Sequence, residues 1–521
     1  MSLQPLNWPG FGSGLDVNRA TNGDGSRCID AMNVLFETGS AVYSRTGYDT
    51  LITGTVGTPM TKLAVFQKRS GERQIVVAAG LYVKVYTTTG TLVSTSSAFT
   101  SDQFVFAKYG TAAINYIYVT NGVDVPRKWD GASWTTVSDS LGASLQAKTA
   151  VAVPFDYRVA FAGFTGTTGN SPSTIKFSNP GTDATFGSSI DINPGDGEGI
   201  TAMVAYQQQL FVFKNNSMHV VYGQTTSGSP SVTTWNWRTL VDNVGCAGPD
   251  ALTVGPDGVY FAHRSGIYVT AGAVPVCVSA PIESVFTGVA PIAWKGGIIS
   301  QNYLYKSSMQ WHAGRLRFSC PVNGSDTLTR VFVFDTKAGW WSVGDQRYNA
   351  MAVGAVDTAG QNLLCATEQR IGATAPRVVV ERANSSTDSG TPINARWLSD
   401  WTDLGLAQRK TSNGVRIWGE GNVWVTLLGD FGLAGLPQQA SFLTQGDTWG
   451  TAGGGDTWGN GTTADLWGDG GRVQSAYLRQ GVRGTTMAMQ FYSADLTPWR
   501  IHRATPQLRS LQPIGTTTGG E

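Results

Sequence analysis

Short runs of β-branched and aromatic residues, each closed by Gly, Asn, Asp or Ser, constrain this chain more than any other feature. They include residues 76–77, 81–86, 116–119, 210–213, 219–222, 259–261 and 331–334. Their period is two rather than 3.6, the mark of strands and not of amphipathic helices. A turn followed by such a run recurs at Ser70-Gly71, Gly110-Thr111, Phe155-Asp156, Gln207-Gln208, Asp257-Gly258, Ala313-Gly314 and Ala359-Gly360. The spacing is roughly 40 to 56 residues, near the length of a four-stranded propeller blade. One small sheet cannot bury both its faces alone, so such units stack radially. Residues 127–134 and 334–341 both read as strand, Asp/Gly turn, Trp, with the Trp after the turn expected to plug between neighbouring blades. The expectation is an all-β chain: a β-propeller of six to eight short antiparallel blades over 51–395. A large sandwich, or several small β domains, is the competing arrangement. The best helical stretch is the short piece 139–148.

The flanks differ in texture. Residues 1–50 are rich in Gly and Asn with few core-forming runs, and read as an N-terminal arm that wraps over other structure. From 396 to 521 Lys disappears after Lys410 and Trp becomes dense, at Trp397, Trp401, Trp418 and Trp424. Apolar runs at 415–418, 423–428, 473–479 and 487–492 predict a separate, sandwich-like antiparallel domain. It carries a Gly/Trp insertion at 445–472 with a nine-residue repeat: Asp447 and Trp449, Asp456 and Trp458, Asp465 and Trp467. Each Asp is suited to bonding its own turn. The Trp rings are anchors on the protein's own surface, on a neighbouring subunit or partner, or, least of all, on a sugar.

Charge narrows the function. There are 37 basic and 36 acidic residues, a net charge of +1, and only 14% of residues are charged. No basic surplus points to tight nucleic-acid binding, and little self-repulsion opposes assembly. Cys28, Cys246, Cys277, Cys320 and Cys365 form no CxxC motif and read as buried free thiols of a reducing compartment. Residues 1–12 lack the basic and apolar regions of a signal peptide, and 265–282, though uncharged, is broken by Gly and Pro, so no membrane insertion is expected.

Catalytic signatures are sparse. His219, His263, His312 and His502 form no HExxH and are expected at strand edges or in a satisfied core. There is no P-loop and no GxSxG elbow, and the glycine runs at 10–14 and 195–199 lack the full dinucleotide pattern. Asp191, Asp196 and Glu198 gather on a turn that offers hard oxygens to Ca²⁺, but acidic Gly turns are common in β proteins. A carboxylate pair for glycoside hydrolysis would be defined in space, not in sequence. No catalytic residue, cofactor or metal is assigned.

Three stretches together resemble a known family. Residues 30–39, with Asn33 and Gly39, run into Val42-Tyr43-Ser44-Arg45-Thr46-Gly47-Tyr48. This resembles the opening of tail nozzle proteins of short-tailed bacteriophages, also called tail tubular proteins B or packaged-DNA stabilisation proteins. Residues 209–223 and 331–343 resemble the family's mid-propeller stretches. The likeness spans 25–430 loosely, and it departs from the pattern where Ser44 precedes Arg45 in place of a basic residue. The resemblance implies a structural virion protein, not an enzyme. It would be a homo-hexameric ring of propeller subunits in the virion tail, assembled in the host cytoplasm. A tail adaptor would sit above it and tail-fibre or tail-tip proteins beside or below. DNA would pass through the lumen without sequence-specific binding and be retained until ejection. Arg45, Gly47 and Tyr48 are then expected in a tight turn, Gly47 at positive φ and Tyr48 packed on the first blade, or else at the ring interface. Two rivals stay open: a receptor-binding or tail-tip protein, and a glycan-binding or glycan-cleaving propeller.

Overall fold

The computed structural model describes the chain apart from residues 1–3, 6–7, 9, 12, 19–25, 38–40, 111–114, 138–144, 154–156, 166–169, 182–184, 226–232, 291–293, 357–361, 369–374, 383–384, 405–408, 431–432, 435–436, 443–473, 494–497 and 511–521. Four-stranded antiparallel meanders follow one another from Met60 onward. The first is Met60–Gln67, Arg73–Ala79, Tyr82–Thr87 and Leu92–Thr95. The second to fifth begin at Val105, Ala147, Ala202 and Leu252, each a sheet of its own. The sixth runs from Ser308–His312 to Trp340–Gly344. The seventh, Tyr348–Val356, Asn362–Glu368 and Arg377–Glu381, takes its outer strand from the other end of the chain, Tyr48–Thr53. The first strand of each meander packs on that of the next, and Tyr348–Val356 packs on Met60–Gln67 to close the circle. The fold is a β-propeller of seven blades among the described residues: six separate sheets, and a sixth blade continuous with the C-terminal sheet.

The second strand of each blade is buried on both faces because neighbouring blades stack against it. Val159–Phe164 and Gly258–His263 are buried throughout, and Arg73–Ala79 from its second residue onward. The apolar clusters lie between blades: Val76, Val83 and Val85 meet Phe104, Ile117 and Trp129, and Tyr118 meets Phe161. Trp129 is wholly buried and its Nε1 donates to Gln74 Oε1 of the first blade at 2.8 Å. Trp341 donates to the Val278 carbonyl, next to the fifth blade, at 2.9 Å. In the second blade, then, the plug is Trp129 before the turn. Trp134 after it is only half-buried, because it sits on the blade's outer strand. Of the piece read as helical, residues 139–144 lie outside the described residues, and its end is strand: Ala147–Ala152 opens the third blade.

The N-terminal residues supply strands rather than a draped arm. Cys28–Met32, buried at every position, pairs with Arg396–Ser399 on one side and meets the sixth blade in parallel, Met32 against Val343, on the other. The hairpin Val34–Glu37 and Ala41–Ser44 extends the sheet of Arg500–Ser510. The C-terminal region is therefore not separate, since its strands continue the sixth blade through this splice. Its backbone is the 20-residue strand Lys410–Gly429. The first half pairs with Arg500–Ser510, Gln474–Leu478 and Val482–Gly484, the second with Met487–Ser493 and Gln438–Phe442. The turn-over comes at Gly419-Glu420-Gly421: Gly421 has φ +77°, and a side chain there would overlap the Pro498 carbonyl. Strands that switch sheets in this way make the corners of a sandwich. Its core holds Phe11, Trp397, Phe491 and Trp499, with Phe11 edge-on to Trp397 at 5.0 Å.

Candidate functional site

Arg45 lies where the N-terminal strands, the sixth and seventh blades and the C-terminal region meet. Its side chain is 7% exposed. Nε donates to Asn33 Oδ1 (2.9 Å), Nη1 to Asp388 Oδ1 (2.8 Å) and to the Thr46 carbonyl (3.1 Å), and Nη2 to Asp388 Oδ2 (2.5 Å) and Asp345 Oδ1 (3.3 Å). The Asp388 contact is the bidentate fork that guanidinium and carboxylate planes favour. Burial opposes the guanidinium charge, but Asp388 more than offsets it and keeps Arg45 protonated. Burial raises Asp388, with Asp345 and Glu368 adding to the rise and Arg45 pulling against it. Asn33, at φ +56°, ties the node together: Oδ1 also accepts the Asp345 N–H (3.1 Å), and Nδ2 donates to the Asn394 carbonyl (2.9 Å).

Gly47 and Tyr48 differ from the sequence expectation. Gly47 is not at positive φ. It is required by close approach: a Cβ there would overlap the Thr387 carbonyl oxygen and come within 2.5 Å of its carbon, and the Gly47 N–H donates to the Ser385 carbonyl at 2.7 Å. Tyr48 packs on the last blade, not the first, because its strand is the outer strand of that blade. It lies edge-on to Tyr348 at 6.1 Å and its hydroxyl donates to Glu368. Burial, then Asp388 and Glu368, raise its phenol, which stays neutral. The sequence brought Arg45, Gly47 and Tyr48 forward but not Asp388, Asp345 or Asn33 as their partners. Asp388 lies 343 positions from Arg45, and no local pattern links two such residues. The repeat residues Asp447, Trp449, Asp456, Trp458, Asp465 and Trp467 lie outside the described residues.

A second buried pair sits on the seam of the splice. Asp30, 1% exposed, accepts from Arg396 Nε at 2.6 Å. Burial raises its carboxyl to about 6, with Arg396 opposing. Cys28 nearby is pushed well above the ordinary thiol range by burial and the carboxylates of Asp30 and Asp400. Cys277 departs from the expected buried set, being exposed on the two-residue edge strand of the fifth blade.

One end of the propeller axis opens into a cavity of about 730 Å³, lined from all seven blades by residues such as Thr61, Phe104, Lys148, Ile200, Pro249 and Asn349. Lys62 of the first blade forms an ion pair with Asp250, which precedes the fifth. Desolvation lowers the Lys62 ammonium to about 7, and the carboxylate beside it favours the charged form. The pair joins parts of the circle that are not neighbouring blades. The acidic turn at 191–198 is engaged within the protein: Asp196 accepts from the buried Lys214 at 2.7 and 2.8 Å, Glu198 from Asn216, and Asp191 from Thr174. Among the described residues no three His, Cys, Asp or Glu side chains gather as a metal ion needs, and no helix is long and apolar enough to cross a membrane. His219 is buried between Ser217 and Thr239, and His263 bonds Ser265 at 2.8 Å.

No protein-family model and no curated protein matches the chain. Solved structures do. BBS1N in complex with ARL6DN (soaked with mercury) is 10% identical with a TM-score of 0.41, covering 66% of this chain and 99% of that one. Chaetomium thermophilum Raptor is 12% identical with a TM-score of 0.41, covering 65% of this chain and 29% of that one. The C-terminal WD40 domain of Sif2 is 11% identical with a TM-score of 0.35, covering 71% and 99%. At these scores the likenesses carry no functional argument, and the propeller stands on its strand order.

Proposed function

We infer that the chain is a structural virion protein, the tail nozzle of a short-tailed phage. It assembles as a homo-hexameric ring below a tail adaptor, conducts the genome outward and retains it until ejection. The observation that carries this reading is the burial of Arg45, the residue to which the family resemblance points. Its charge is spent on locking the N-terminal strands, two blades and the C-terminal region, which is the chemistry of a stiff wall rather than of a catalyst. The splice of Cys28–Met32 into the sixth blade supports the same reading. The Lys62–Asp250 pair ties together blades that are not neighbours in the circle, which favours a passage for DNA between the subunits of a ring over one through a propeller.

The test is the copy number and axial position of the protein in its native particle, read by cryo-electron microscopy or native mass spectrometry. Six copies around one axis are expected. Three copies at the distal tip favour the receptor-binding reading. One or two copies, with hydrolysis of a host polysaccharide by the purified chain, favour the glycan enzyme.

A further inference from the structure

The outward face of the C-terminal sheet is populated by arginines and aromatic rings. Across neighbouring strands Thr411 stands opposite Arg483 and Arg416 opposite Tyr477. The irregularity between Ser412 and Gly414 resets the alternation of the long strand, so positions 411 and 416, of opposite parity, both leave the core. Arg409, Arg416, Arg479 and Arg483 are exposed, and none forms an ion pair with a described carboxylate. Arg409, Arg479 and Arg483 line one depression of about 800 Å³ with Thr411, Asn413 and Tyr477. On the next strand Arg503 lies over Trp418 at 5.1 Å, and beyond it Arg500 over Tyr43 at 5.0 Å. Of the nearby carboxylates, Glu420 beside His502 and Glu37 beside Arg500 keep to the far part of the face, while Asp403 and Asp430 lie at its near end and act on Lys410. Elsewhere Arg45, Arg317 and Arg396 each lie against an acid.

We propose that this face binds the sugar–phosphate backbone of nucleic acid. Guanidinium groups match phosphate oxygens as a fork, and interleaved aromatic rings are the companion feature of nucleic-acid grooves. A protein partner would need a matching set of acids for four guanidinium groups, whereas a nucleic-acid backbone presents a phosphate at every step. Among the described residues after 396, Tyr477 is the only exposed large hydrophobic side chain. The net charge of +1 conceals the face, because Asp447, Asp456, Asp465 and Asp469 balance these arginines in the sum. That the nucleic acid is the conducted genome rests on the nozzle reading. The binding itself is a property of the single chain, so DNA binding and ring order can fail separately.

The test is fluorescence anisotropy of a labelled DNA duplex titrated with the full chain at several salt concentrations. Four phosphate contacts give a slope of log K against log salt of about −3.6, and losing two brings it to about −1.8. The double variant R416Q/R483Q is expected to show that change and at least about tenfold weaker binding at low salt. R69Q, in an exposed turn of the first blade, is expected to bind as the unaltered chain does. Equal melting temperatures for all three establish that the fold is kept. The proposal is overturned if the unaltered chain does not bind duplex below about 100 μM at low salt, the weak end of non-specific binding. It is also overturned if R416Q/R483Q leaves the slope unchanged, or if poly-aspartate binds as tightly as DNA.

Discussion

Replacing Arg45 by Met keeps the bulk of the side chain and removes five hydrogen bonds. The losses are unequal. Asn33 Oδ1 keeps the Asp345 N–H, and Asp345, 45% exposed, turns to water. Asp388 is the costly one, since its side chain is 14% exposed and both its oxygens face the guanidinium. Removing one member of a buried ion pair costs about 3–5 kcal/mol, because the other charge is left uncompensated. Arg45→Met is therefore expected to lower stability at pH 7 by about that amount, measured by urea denaturation followed by tryptophan fluorescence. Toward acid pH the loss shrinks, because Asp388, raised by burial and no longer opposed by Arg45, takes up a proton. Arg45→Met with Asp388→Asn removes both charges and is expected to recover more than half of it, leaving a coupling energy of about 2 kcal/mol or more. A loss under about 1 kcal/mol for the single variant, or strict additivity in the double, refutes the view that this pair locks the seam.

Other expectations follow from the same seams. Gly47→Ala forces backbone apart at Thr387 and is expected to cost at least about 2–3 kcal/mol, whereas Gly390→Ala, at φ +85° with open space around it, costs about 1 kcal/mol; thermal melts compare them. Trp129→Phe leaves Gln74 unsatisfied in the wall between the first two blades and is expected to cost about 2–4 kcal/mol; Trp134→Phe, half-buried, is expected to cost under about 1.5 kcal/mol, and equal losses would deny that Trp129 is the plug. Asp30 is raised to about 6 in the fold from an unfolded value near 4, so the native state binds the extra proton; its contribution is complete below about pH 4 and is lost as pH rises through 6, by about 3 kcal/mol. Asp30→Asn is expected to flatten that part of the pH–stability curve, and an unchanged curve would contradict it.

The sequence made the blades legible and left the seams dark, for a physical reason. The seven runs after the recurring turns, beginning at residues 74, 115, 158, 210, 259, 315 and 361, fall on the second strands of the seven blades. These strands are buried on both faces, so their signal is continuous and local. Cys28–Met32 is as buried as any of them, but it reads Cys-Ile-Asp-Ala-Met. Asp30 is tolerated there only because Arg396 comes to it from 366 positions away. Gly47 is singled out by sequence, but its cause is not: a positive φ is a local property that sequence suggests, while the approach of Thr387 is a tertiary one. The continuous strand Lys410–Gly429 looked like two, because the corner at Gly419-Glu420-Gly421 reads as a break until both halves are seen paired.

On the function proposed above, this chain is a stiff subunit whose work is done in a ring of copies. A cryo-electron microscopy map of the native particle tests it most directly. Six propellers around a common axis are expected, with the passage between subunits and none through a propeller. A lone subunit, or a particle in which the propeller's own axis is open and occupied, would contradict it.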